Sequence, residues 1–122
     1  MFDTTKLPAP ADLPTPEQAY ANAPHLAAET TLLHAASMAP EAELDREWYL
    51  RHAALLDRVA LRLAAFDSEP GAATAVEEAD ATAVYLLDMD QAPRDYDPRP
   101  YVRQQYALWL TSQDADADIS YS

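Results

Sequence analysis

Between residues 44 and 66 apolar side chains recur every three or four positions. Stepping by roughly 100° per residue puts Leu44, Trp48, His52, Leu55, Val59, Leu63 and Phe66 on one stripe. This is the longest regular amphipathic pattern in the chain, and it predicts a helix over 40–66 opened by Pro40. Arg51, Arg58 and Arg62 line the stripe's edge, and Glu47 stands four positions before Arg51, the order in which such a pair supports a helix. Weaker patterns of the same period flank it. Thr15, Pro16 and Gln18 read as a capping box with proline at the first helical position, opening a short turn that Pro24 interrupts. A second helix is predicted over 24–38, with Leu26, Thr30, Leu33 and Ser37 on one side and Leu32 and Ala36 broadening it. A third covers 72–90, where Ala72, Val76, Ala79, Ala83 and Leu87 form a face of mostly small side chains that lets helices approach closely. The last covers 98–113, capped by Asp97, with Val102, Tyr106, Trp109 and Gln113 on one side and Tyr101 and Leu108 beside them.

No stretch alternates with the period of a strand, so the fold class predicted is all-α, a small bundle of four main helices. The clearest internal break is Asp67-Ser68-Glu69-Pro70-Gly71. Four prolines in residues 7–16 favour extended backbone and forbid a helix interior, which makes 1–14 a proline-rich arm ahead of a single helical domain over 15–113. Residues 114–122 alternate acids with small side chains and are expected to fray as an acidic tail.

Composition narrows the function classes. A chain of 122 residues suits one domain with its own core. Without cysteine there is no disulfide framework, thiolate site or cysteine nucleophile. The first residues lack a basic start followed by an apolar run, and no stretch is long and apolar enough to cross a membrane, so a cytoplasmic protein is expected. Its cations are one lysine and seven arginines, and alanine is its commonest residue, as in proteins of high-GC bacterial genomes. A single glycine, Gly71, leaves no phosphate-cradling loop.

The formal net charge is −13. Clusters of Lys or Arg that would neutralise phosphate are missing, so direct binding to nucleic acid or anionic lipid is not expected. The excess is local: Asp67, Glu69, Glu77, Glu78, Asp80, Asp88, Asp90, Asp95 and Asp97 share one stretch with a single base, Arg94, for a net −8. A local field of this kind selects partners of opposite charge. Tyr85 falls opposite the small-residue face of the third helix, and Tyr96 and Tyr101 flank a linker rich in proline, so these three tyrosines are expected at the surface, where such side chains favour protein interfaces. The reading is a non-enzymatic regulator, adaptor or immunity-type inhibitor. It would bind a protein with a basic surface through Glu77, Glu78, Asp80, Tyr85, Asp88, Asp90, Tyr96 and Tyr101.

Two rivals differ in class. In one, carboxylates imitate phosphates and occupy a nucleic-acid-binding protein, which needs acids in ordered rows. In the other, Asp45 and His52, seven positions apart on one helix face, centre a small-ligand or metal site in the bundle. Glu29 with His34 and Glu47 with His52 are each five apart. That offset turns a helix by roughly 140° net, so neither pair converges. No serine or threonine stands in a strand–turn–helix elbow beside a base, so no nucleophile is assigned. No cofactor is implied. His52, set among Trp48, Leu55, Leu56 and Val59, is expected to be a structural histidine, with Asp45 an edge charge or its partner.

Overall fold

The computed structural model describes residues 13–39, 43–65, 71–93 and 95–120, without the side chains of 114–120. The predicted arm up to residue 12, Pro40, Phe66 and the break at 67–70 lie outside the described residues, while residues 43–45, predicted helical, are described and are not helical.

The capping box forms as expected. Thr15 Oγ1 accepts the Gln18 amide at 3.2 Å and Gln18 Oε1 accepts the Thr15 amide at 2.9 Å, opening the five-residue α1, Pro16–Tyr20. The chain continues through α2 (Leu26–Met38), α3 (Arg46–Ala65), α4 (Gly71–Met89) and α5 (Pro98–Ser120). The described residues are all-α, four of the five helices being long. α3 starts at Arg46, where Asp45 Oδ1 takes the Trp48 amide at 3.0 Å. That cap fixes the role of Asp45. α5 extends to Ser120, beyond the predicted helix end at 113, in keeping with the high helix propensity of Ala115 and Ala117.

α3 is the hub. It packs most extensively on α4, then on α5 and α2, while α1 lies on α5; among the described residues α2 does not pack against α4. Small side chains are buried on both helices of the extensive α3–α4 contact, Ala53, Ala54 and Ala60 on α3 and Ala79 and Ala83 on α4, as the small-residue face of α4 predicts. Leu50, Leu86, Leu87, Tyr96, Tyr101, Val102 and Tyr106 complete the core.

Two expectations are corrected here. The fully buried side of α3 is Leu50, Ala53, Ala54, Asp57 and Ala60, roughly opposite the predicted stripe. Of that stripe Leu55 is buried, while Leu44, Trp48, His52, Val59 and Leu63 are only half-buried. On α2 only Leu33 and Glu29 are buried, and Leu32 is exposed. Both misreadings share one cause: the buried faces carry a carboxylate, which apolar patterning assigns to solvent.

The end of α4 positions the linker. Gln91 adopts φ 53°, the Gln91 amide donates to Asp88 O at 3.1 Å, and the Ala92 amide reaches back to Leu87 O at 3.1 Å, a Schellman turn with glutamine where glycine is usual. The reversal returns Ala92 and Tyr96 to the core instead of leading them into solvent.

Candidate functional site

Three carboxylates, each held by arginine and a tyrosine hydroxyl, fix one side of the molecule. Asp57, 1 % exposed, receives Arg103 Nε at 2.8 Å and Nη2 at 2.9 Å, Arg99 Nε at 2.6 Å and the Tyr20 hydroxyl at 2.6 Å. Glu29, 2 % exposed, receives Arg51 Nε at 3.1 Å and the Tyr106 hydroxyl at 3.2 Å, with Arg58 Nη1 at 3.8 Å. Asp90 is gripped by Arg46 through two bonds of 2.6 Å and by the Tyr101 hydroxyl at 2.7 Å. Arg99 and Arg103 are four apart and Arg51 and Arg58 seven apart, so each pair shares a helix face and closes on one acid. Burial alone pushes the Asp57 carboxyl up, but the bonds from Arg103, Tyr20 and Arg99 outweigh it and hold its pKa below the ordinary value. The three hydroxyls move the other way. Burial and the adjoining carboxylate raise Tyr20, Tyr101 and Tyr106 above the usual tyrosine value.

These pins engage five of the seven arginines, Arg46, Arg51, Arg58, Arg99 and Arg103. The surface is therefore poorer in cations than the composition suggests. Hydropathy patterning does not single out Asp57, and Glu29 stands out in it only as a possible metal ligand with His34. The available signal was an acid amid alanines on one helix and arginines at helical spacing on others.

The opposite side of α3 is built differently. Because α2 and α4 flank α3 without touching each other, the half-buried row of α3 lies at the bottom of an open slot. Trp48 and His52 form its central ridge, their rings stacked 4.7 Å apart at 19°. The Trp48 indole N–H is fixed by Leu33 O at 3.0 Å. A cleft of about 330 Å³ runs along the α2 side of the ridge past Leu33, His34 and Leu56. Another, of about 300 Å³, runs along the α4 side between Tyr49, Ala81 and Tyr85. Tyr49 and Tyr85 approach with ring centroids 5.4 Å apart, and Tyr85 remains 56 % exposed. Desolvation lowers the His52 pKa, which Glu78 opposes, so the imidazole favours its neutral form. Its placement on Trp48 agrees with the expected structural histidine.

The predicted partner-binding residues do not form one surface. Tyr85 lines the slot, with Glu78 close enough to act on His52, and Glu77 and Asp88 are exposed on the same helix. Asp80 turns toward α5, 58 % exposed and 3.9 Å from Arg99. Asp90 belongs to the third pin rather than to an outward face. Tyr96 and Tyr101 are 6 % and 0 % exposed and pack edge-to-face at 5.9 Å, so the aromatic linker surface expected of them is not formed. Asp45 is committed to capping α3, not to His52. Among the described residues no three histidines, aspartates or glutamates converge to hold a metal ion, and no helix there is long and apolar enough to cross a membrane.

No protein-family model matches the chain, and the comparisons with curated proteins and with solved structures likewise found no match.

Proposed function

We propose that this is a non-enzymatic binding protein that holds another protein in the slot between α2 and α4, under an acidic rim. The observation that carries the reading is the most hydrophobic stripe of α3, with Trp48 and His52, left half-open beside the exposed Tyr85 of α4. Half-open aromatic surfaces beside clefts are where protein interfaces place their strongest contacts. Glu43 and Asp45 ahead of α3, with Glu77 and Glu78 on α4, add a field that favours a basic partner. A nucleic-acid mimic finds less support, because the acids of α4 point in several directions and Asp90 is consumed internally. A small-ligand or metal site on Asp45 and His52 finds less support for the same kind of reason, since each has another structural engagement.

Photo-crosslinking tests the reading. A benzoylphenylalanine placed at position 81 or 85 in cells of the source organism should yield a protein adduct of defined mass. The same residue at position 108, where Leu108 is exposed on α5, should not. Equal adducts from all three positions, or none from 81 and 85, would rule out the slot as the binding face.

A further inference from the structure

The slot has the form of a vacancy in a helical bundle. α3 is covered by α4, α5 and α2 around part of its circumference, and the remaining arc, Trp48, His52, Leu56, Val59 and Leu63, carries apolar residues at helical spacing. A neighbour that continues the bundle would be another helix, its side chains falling into the clefts on both sides of the Trp48–His52 ridge, as ridges pack into grooves. Three sources for it exist. The stretch leading into α1 is unsuited to it, because Pro8, Pro10 and Pro14 break a helix, while Leu13 packs against the core and α1 lies on α5. A second copy would bring together two chains of net charge −13 each through a face rimmed with acids, which like-charge repulsion disfavours. A helix of a different protein remains, and the rim sets its charge.

We infer, building on the reading above, that the slot takes an amphipathic α-helix of another protein, with aliphatic or aromatic residues at i, i+3 or i+4, and i+7 toward Trp48 and Tyr85, and Lys or Arg along its flanks. Its apolar face is desolvated between Leu33 and Leu56 on one side and Ala81 and Tyr85 on the other. Its cations face Glu43 and Asp45 at one end and Glu77 and Glu78 along α4. Arg51 is satisfied within the fold, its guanidinium turned to Glu29, 3.9 Å from Glu47 and 4.8 Å over the Trp109 ring.

The probe is a fluorescein-labelled peptide of leucine, alanine and lysine, ~18 residues or about five helical turns long, with leucines at helical spacing. Two controls keep its length: one has glutamate in place of lysine, and the other has the same composition rearranged to alternate apolar and polar residues. Fluorescence anisotropy should give micromolar binding of the helical Leu–Lys peptide and at least about tenfold weaker binding of both controls. Ala81→Arg, which fills the α4-side cleft with a cation, and Tyr85→Ala should each weaken binding by a similar factor with the melting temperature unchanged. Equal binding by the alternating peptide, or by the glutamate peptide, would overturn the cationic-helix occupant, as would an affinity unmoved by Ala81→Arg or no binding at all. The crosslinks from positions 81 and 85 decide the protein-binding reading separately, so it survives any of these failures if the adducts form.

Discussion

The two sides of α3 solve opposite problems with unexpected materials. The side toward α4 and α5 is buried completely yet is built from alanines, one leucine and a carboxylate, whereas the side between α2 and α4 is the more hydrophobic and is left partly open. Small residues let α3 and α4 approach closely, and ion pairs then specify which helices meet. Asp57 joins α1, α3 and α5; Glu29 joins α2, α3 and α5; Asp90 joins the end of α4 to α3 and α5. Buried ion pairs are weak net stabilisers against an apolar alternative but costly to break on one side. Their contribution is thus register more than depth of stability. Large apolar side chains are thereby left over on the outer face of the hub helix, where they can be used for binding.

The comparison breaks most severely at Asp57. Asp57→Ala leaves Arg99, Arg103 and the Tyr20 hydroxyl facing an empty, buried position, and should cost about 3–5 kcal/mol in urea unfolding. A loss under about 1 kcal/mol, within the range of exposed ion pairs, would mean that the pin is a surface pair in solution.

Alkaline pH strikes all three pins together. Tyr20, Tyr101 and Tyr106 have folded-state values above the unfolded one near 10. Their contribution is therefore fully present below about pH 10 and is lost as the unfolded chain sheds protons that the folded chain retains. Unfolding free energy followed by circular dichroism should decline above about pH 10, with ionisation of these tyrosines coinciding with unfolding. Flat stability up to pH 11 would contradict buried, carboxylate-bound hydroxyls.

His52 tests the open side. His52→Ala removes the stack on Trp48 and should lower stability by about 1 kcal/mol, while a chelator leaves the melt of the parent protein unchanged. A chelator-induced shift would convert the ridge into a metal site.

Gln91→Gly is the smallest expected effect. It relieves the left-handed backbone at the α4 turn but gives the unfolded chain more freedom, so a net gain of about 0.5 kcal/mol is expected. A net loss would show that the Gln91 side chain contributes more than its backbone costs.

What the sequence disclosed follows the same division. Helix identity was legible, because period and helix starts are local: the Thr15–Gln18 capping box, the start of α5 at Pro98, and the small-residue face of α4 all fall where patterning puts them. The direction in which α3 faces was not legible. A stripe analysis ranks faces by hydrophobicity, and here the ranking inverts, since Asp57 and Glu29 become core residues only when arginines from other helices reach them. Tyr96 and Tyr101 were misplaced for a related reason. A linker with three prolines looks exposed, but the turn at Gln91 folds it back and Asp90 supplies the hydroxyl partner that lets Tyr101 be fully buried. Of the candidate site, Tyr85 and the outward acids of α4 could be read from the helical wheel; the slot that gives them an apolar neighbour required knowing that α2 and α4 stand apart.

The two tryptophans report the two sides within one molecule. The Trp48 indole N–H is bonded to Leu33 O in the slot, and the Trp109 indole N–H is bonded to Glu47 Oε1 at 2.9 Å between α3 and α5. Titrating ¹⁵N-labelled protein with the helical Leu–Lys peptide should shift the Trp48 indole resonance and the amides of Tyr49, His52, Ala81 and Tyr85, with those of Tyr20, Asp57 and Arg103 unmoved and the Trp109 signal nearly so. Shifts concentrated at Trp109 and the Asp57 pin, with Trp48 unchanged, would contradict the claim that the apolar face of α3 is the one kept open for a partner.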